Sequence, residues 1–102
     1  MVFKSEHSII VFHYFIAVCI YPGIEYTGDK CPGIEPFLTA TFDDCYNRLV
    51  EEYNMDSSCK FFVYRAFSSG NPGTCLLKIQ KGNENPNNDA ISGRIPNNPA
   101  NC

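Results

Sequence analysis

Six cysteines, at positions 19, 31, 45, 59, 75 and 102, constrain this chain more than any other feature. None forms a Cys-x-x-Cys pair, and the stretches that follow Cys31 between successive cysteines run to 13, 13, 15 and 26 residues. Zinc knuckles set their paired ligands about two to four residues apart, so the spacing argues against a metal site. The same six residues read instead as a disulfide framework made in an oxidising compartment. A chain of 102 residues is one domain at most. At that size, and more so if an N-terminal segment is removed, a hydrophobic core alone is marginal and covalent staples are expected.

The stretch CKFFVYRAFSSGNPGTCLLK, residues 59–78, reads as a β-hairpin. Its two apolar runs are rich in aromatic and β-favouring residues, and SSGNPG between them is turn chemistry. A cysteine stands at the head of each run. In the first run Phe61, Val63 and Arg65 point one way and Phe62, Tyr64 and Ala66 the other, so both faces carry apolar bulk. Upstream, TATFDDCYNRLVEEYNMD carries an N-cap signal, Thr41 followed three residues later by Asp44, with acidic residues in the first turn where the helix dipole favours them. Phe42, Cys45, Tyr46, Leu49, Val50 and Tyr53 recur at helical spacing as one apolar stripe. This predicts one amphipathic helix of about three turns, ended by the serines at 57 and 58. IEYTG at 24–28 is a short strand candidate, and DKCPGIEP after it a turn. The last third, GNENPNNDAISGRIPNNPANC, is rich in Asn and Pro and reads as loop, with AISG as one island able to form a short strand. Cys102 is expected to tie this tail back to the body.

The first 18 residues form a separate segment in this reading, and the domain proper runs over 19–102. MVFK followed by SIIVFHYFIAVCIY has Lys4, about 13 mostly apolar residues and then the small residues of AVC, the pattern of a secretory signal. The segment is too short, and too polar at His13 and Tyr14, to span a bilayer. The alternative is an extended flank of the domain. The choice decides the fate of Cys19, because a cut after it leaves five cysteines and one odd thiol.

Several function classes are excluded by composition. Net charge is −3 and the pI about 5.2, with Lys and Arg scattered, so the basic footprint that nucleic acid or an anionic membrane surface requires is missing. Both histidines, His7 and His13, lie in the apolar segment; past residue 20 there is no imidazole to serve as base for a Ser or Cys nucleophile. The acidic pairs Asp43–Asp44 and Glu51–Glu52 are helix neighbours that point apart, which makes them a solvated face rather than an acid and base pair. No enzyme, cofactor or metal centre is expected.

Taken together, CIYPGIEYTG at 19–28, TFDDC at 41–45, CKFFVYRA at 59–66, TCLLK at 74–78, AISG at 90–93 and the closing Cys102 resemble a PAN/apple domain. The EYTG opening and the Asn-rich tail are most similar to the apicomplexan microneme type. The resemblance covers about 84 residues in the family's order. It implies an α+β fold in which a curved antiparallel β-sheet cradles one α-helix, stapled by disulfides. It further implies a bond from Cys45 to Cys75 and one from Cys19 to Cys102; the first agrees with Cys45 lying on the apolar stripe. Two departures stand out. The family's second helix cysteine, the usual partner of the one heading the CKFF strand, is Leu49 here, and Cys31 has no counterpart. Cys31 and Cys59 are therefore expected to pair with each other.

Domains of this family are non-catalytic binding modules, so the resemblance implies a secreted or cell-surface protein that recognises a glycan, a glycoprotein or another protein in adhesion. The alternative is a small secreted inhibitor or decoy that blocks a protease or matrix receptor by protein contact. Such modules often act in arrays, where linked weak sites gain avidity, and dimerisation is open. Tyr64 and Arg65 on the hairpin, with Lys78 and Lys81 beyond CLLK, offer an aromatic face and donors of the kind that hold a sugar or an acidic peptide. The same residues also read as a core tyrosine and three solvated bases.

Overall fold

The computed structural model describes residues 9–13, 15–66, 71–97 and 102. The four-turn helix α1, Phe42–Met55, is the one helix among them, and it starts where its cap requires. Thr41 is extended and its hydroxyl accepts the Asp44 N–H at 3.3 Å. At the other end Asp56 carries the helix to its stop: its N–H donates to the Glu52 carbonyl, while its carboxylate accepts from the Ser58 N–H and hydroxyl. Cys45, Leu49 and Val50 of the stripe are fully buried, with Phe42, Tyr46 and Tyr53 packed beside them.

The rest is sheet. Six strands, β1 (Ile9–His13), β2 (Ile16–Tyr26), β3 (Phe37–Thr39), β4 (Phe61–Arg65), β5 (Gly73–Lys78) and β6 (Glu84–Arg94), lie in the order β1-β2-β6-β4-β5-β3, every adjacent pair antiparallel. The domain is therefore α+β and dominated by its sheet. The 59–78 hairpin forms as β4 and β5, with Phe61 opposite Lys78 and Tyr64 opposite Cys75. Cys59 precedes its strand, but Cys75 sits inside β5 and not at its head.

Two segments differ from the sequence reading. Within the Asn-rich tail expected to be loop, of which residues 98–101 lie outside the described part, the AISG island extends into the 11-residue strand β6, Glu84–Arg94. Its apolar end, Ala90–Arg94, fits between β2 and β4 and satisfies backbone groups on both sides. Its polar end, Glu84–Pro86, pairs with β2 alone, an edge position where Pro86 need not donate. Cross-strand partners have overridden local propensity. Of IEYTG, read as a short strand, Ile24–Tyr26 are the end of β2, which begins at Ile16, and Thr27 and Gly28 lie beyond it. The boundary drawn at residue 19 thus falls within a strand: Ala17, Val18, Cys19 and Ile20 are buried, and Ile9–His13 hydrogen-bonds alongside them as β1. Residues 1–8 and 14 lie outside the described part.

Each face of the sheet has its own core. On one, Phe62, Tyr64, Cys75, Leu77, Val18 and Ile20 meet the buried stripe of α1. On the other, Val63, Ala90 and Tyr26 are buried, with Tyr21, Ile24, Phe61 and Leu76 packed around them. No helix covers this second face. The end of β2 folds over it: the β2–β6 register breaks between Pro22 and Ile24, where Gly23 takes φ +80° and β2 bends, with the extra residues, 87–90, carried by β6. Ser92, fully buried, fixes the bend by donating to the Ile24 carbonyl at 2.6 Å and accepting the Tyr26 N–H at 3.2 Å. Tyr26 then stands edge-on to Phe61, rings 5.9 Å apart at 86°.

Three disulfides staple these layers. Cys45–Cys75 bolts α1 to β5, Cys31–Cys59 joins the segment after β2 to the one before β4, and Cys19–Cys102 fastens residue 102 to β2. These are the pairs expected above, and no cysteine is free. No helix among the described residues is long and apolar enough to cross a membrane.

Candidate functional site

The bend in β2 leaves a cavity of about 260 Å³ on the second face, lined by Tyr21, Ile24, Tyr26, Lys81, Glu84, Arg94 and Cys102. Strand register explains the wall: Cys19, Arg94, Phe61 and Lys78 are direct cross-strand neighbours, so their side chains share a face. The Cys19–Cys102 bridge brings residue 102 onto this row. Its carbonyl accepts from the Tyr21 hydroxyl at 2.5 Å and from the Arg94 guanidinium at 3.3 Å, which makes it one side of the cavity. The opposite side is the start of β6 with the residues before it, where Lys81 pairs with Glu84 at 2.7 Å. This segment is held against β2 by main-chain bonds from Thr27 and Gly28 to the Lys81 carbonyl.

Tyr26 is the most buried of the lining side chains, 2 % exposed. Its ring is held edge-on against Phe61 while the residue lines the cavity. Burial is the first cause that holds its ionisation far above the ordinary tyrosine range; Tyr21 and Glu84 add to it and Arg94 opposes. The phenol is therefore a neutral donor and acceptor at every physiological pH. The cavity thus offers aromatic and aliphatic walls, a neutral hydroxyl, a carboxylate and two cations in a space slightly below the roughly 300–1,000 Å³ of drug-sized pockets. It can hold one ring-sized polar group by hydrogen bonds. It supplies no nucleophile with a base beside it.

The four residues singled out from sequence do not come together. Tyr64 is 6 % exposed on the helix side of the sheet. Arg65, its neighbour in β4, points to the other face and forms an ion pair with Glu25, whose second oxygen accepts from Asn87 at 2.7 Å. The Arg65 hydrogen bond, then that of Asn87, holds the Glu25 carboxyl below the usual glutamate range. Lys78 is nearly buried, its ammonium donating to the Gly28 carbonyl at 2.9 Å. Desolvation is the first cause that lowers its pKa. Lys81 alone lines the cavity. Of the other lining residues, Tyr21, Ile24, Tyr26, Glu84 and Arg94 carry no local signal in the sequence. The bend that converges them is a property of strand pairing and not of any local motif.

Among the described residues no group of three or more His, Cys, Asp or Glu side chains is placed to hold a metal ion. No family model, curated protein or solved structure matches the chain.

Proposed function

We propose that the chain is a secreted, non-catalytic binding module of the PAN/apple type that recognises a glycan or glycoprotein, with the β2–β6 cavity taking one sugar unit. The Tyr26 hydroxyl carries this reading. It is a neutral donor and acceptor on a cavity-lining residue whose ring is held in place, so a ligand hydroxyl placed against it gains one hydrogen bond, about 0.5–1.5 kcal/mol. Tyr21 and Ile24 supply the apolar surface that a sugar ring's C–H face packs on, and Lys81, Glu84 and Arg94 ring the opening with donors and an acceptor for its hydroxyls. Three disulfides in a domain this small support an oxidising, extracellular setting. The order of strand, helix, cysteine-headed hairpin and closing cysteine supports the family reading.

The test is a glycan array probed with the oxidised protein and with Tyr26→Phe. That variant keeps the ring on Phe61 and removes only the hydroxyl. Binding to one or a few related sugars is expected, weakened about three- to tenfold in the variant, the range of one hydrogen bond. A silent array, or equal binding by both proteins, refutes the proposal.

A further inference from the structure

The cavity wall that residue 102 forms is attached by a bond that can be undone. Cys31 and Cys59 are each 2 % exposed, and Cys45 and Cys75 are fully buried. Cys19 is fully buried as well, but its partner Cys102 is half-buried and faces the cavity. Thiol–disulfide exchange needs a line of approach to one sulfur, and the only half-open cysteine of the six is Cys102. The bridge does not hold the layers of the fold together. β2 remains paired to β1 and β6 without it, and α1 remains bonded to β5 through Cys45–Cys75. What it holds is the carbonyl that Tyr21 and Arg94 grip.

We infer that the Cys19–Cys102 disulfide is a redox latch on the cavity, opened by an external thiol without unfolding the domain. The inference rests on the cavity being the ligand site. An external thiolate attacks Cys102 Sγ; the S–S bond breaks and Cys19 leaves as a thiolate that takes up a proton. A second external thiol then displaces the mixed disulfide, so two electrons pass from the reductant to the bridge and the reductant ends as its own disulfide. Residue 102 then loses its covalent tie to β2, and the grip of Tyr21 and Arg94 on its carbonyl is no longer fixed by the bridge. Linkage requires the reverse effect: a ligand that binds only the closed cavity protects this bridge from reduction.

The experiment is stepwise reduction of the whole protein with dithiothreitol, trapping free thiols with N-ethylmaleimide and mapping them by peptide mass spectrometry. The Tyr21 and Tyr26 ring resonances are followed by NMR in parallel. The expected result is a species labelled at Cys19 and Cys102 alone, with helical circular dichroism retained and both ring resonances shifted. The variant Cys19→Ser/Cys102→Ser, if it folds, reproduces those shifts without reductant; the reduction series decides the matter if it does not. Labelling of Cys31, Cys45, Cys59 or Cys75 at the same stage, or loss of helix with the first bridge, overturns the latch, as do unmoved ring resonances. None of these readouts uses a sugar, so a silent glycan array would remove the ligand while leaving the latch to stand or fall separately. With a sugar that does bind, the reduced form is expected to lose it.

Discussion

Gly93 stands in the middle of the sheet, opposite Ile20 of β2 and Phe62 of β4. A methyl group there would overlap Cε1 of the Phe62 ring and come within 2.8 Å of its Cζ and 2.6 Å of the Cys19 carbonyl oxygen. Carbon atoms settle about 3.5–4.0 Å apart, so both neighbours would have to withdraw by about an ångström. Neither can do so cheaply: Phe62 is fully buried under α1, and the Cys19 carbonyl belongs to a ladder whose next residues are also buried. Overpacking a well-filled core costs about 1–3 kcal/mol, and two rigid neighbours place Gly93→Ala at the upper end, about 3 kcal/mol. At a urea slope near 2 kcal/mol/M, expected for a domain of this size, the unfolding midpoint falls by roughly 1.5 M. The double variant with Phe62→Leu separates overlap from other causes. If the ring is the obstacle, the two losses are less than additive by about 1 kcal/mol, the coupling that contacting residues show. An unchanged midpoint for Gly93→Ala, or strict additivity in the pair, refutes the argument.

Replacing Cys45 and Cys75 together by Ala releases a loop with a sequence separation of 30. The chain-entropy relation gives a loss of about 3–4 kcal/mol, read from thermal or urea unfolding; retention of full stability would show that the helix needs no bolt. Glu25 makes a prediction in pH. Its folded pKa lies below the ordinary value of 4.5, so its contribution is complete above that value and fades as pH falls through the lower folded one. Glu25→Gln is therefore expected to flatten this part of the acid limb of the stability curve. At neutral pH it should cost only about 0.5 kcal/mol, because Arg65 is half-exposed and solvent screens the pair. An acid limb identical in the two proteins would exclude Glu25 as its source.

The elements legible in the sequence were those whose determinants are local. Thr41 and Asp44 mark the helix start because capping is a contact between residues three apart, and the stripe from Phe42 to Tyr53 needs only the period of one helix. The β4–β5 hairpin was visible because its turn residues lie between its strands. The tail was misread for the opposite reason: Asn85, Pro86, Asn87 and Asn88 are poor strand formers, and their conformation is set by β2, some sixty residues earlier. The run Ile9–His13 shows no alternation that would distinguish a strand from a leader. The cavity was hidden because Tyr21 and Tyr26 converge only through the Gly23 bend, and Arg94 joins them by register. Tyr64 and Arg65 look like one patch in the sequence, but adjacent residues of a strand cannot share a face. Two of the cysteine pairs came with the family resemblance and Cys31–Cys59 with the departures from it, since spacing alone leaves many connectivities open.

The place of β6 has a consequence for how the molecule is made. It is the last strand in chain order, yet its apolar end lies between β2 and β4. Until it is synthesised, the nascent protein holds two incomplete half-sheets, β1-β2 and β4-β5-β3, that share no ladder. Cys19 meanwhile waits with an oxidisable thiol and no native partner, as all four other cysteines appear before Cys102 does. Late closure of this kind favours slow folding and transient mispaired sulfur.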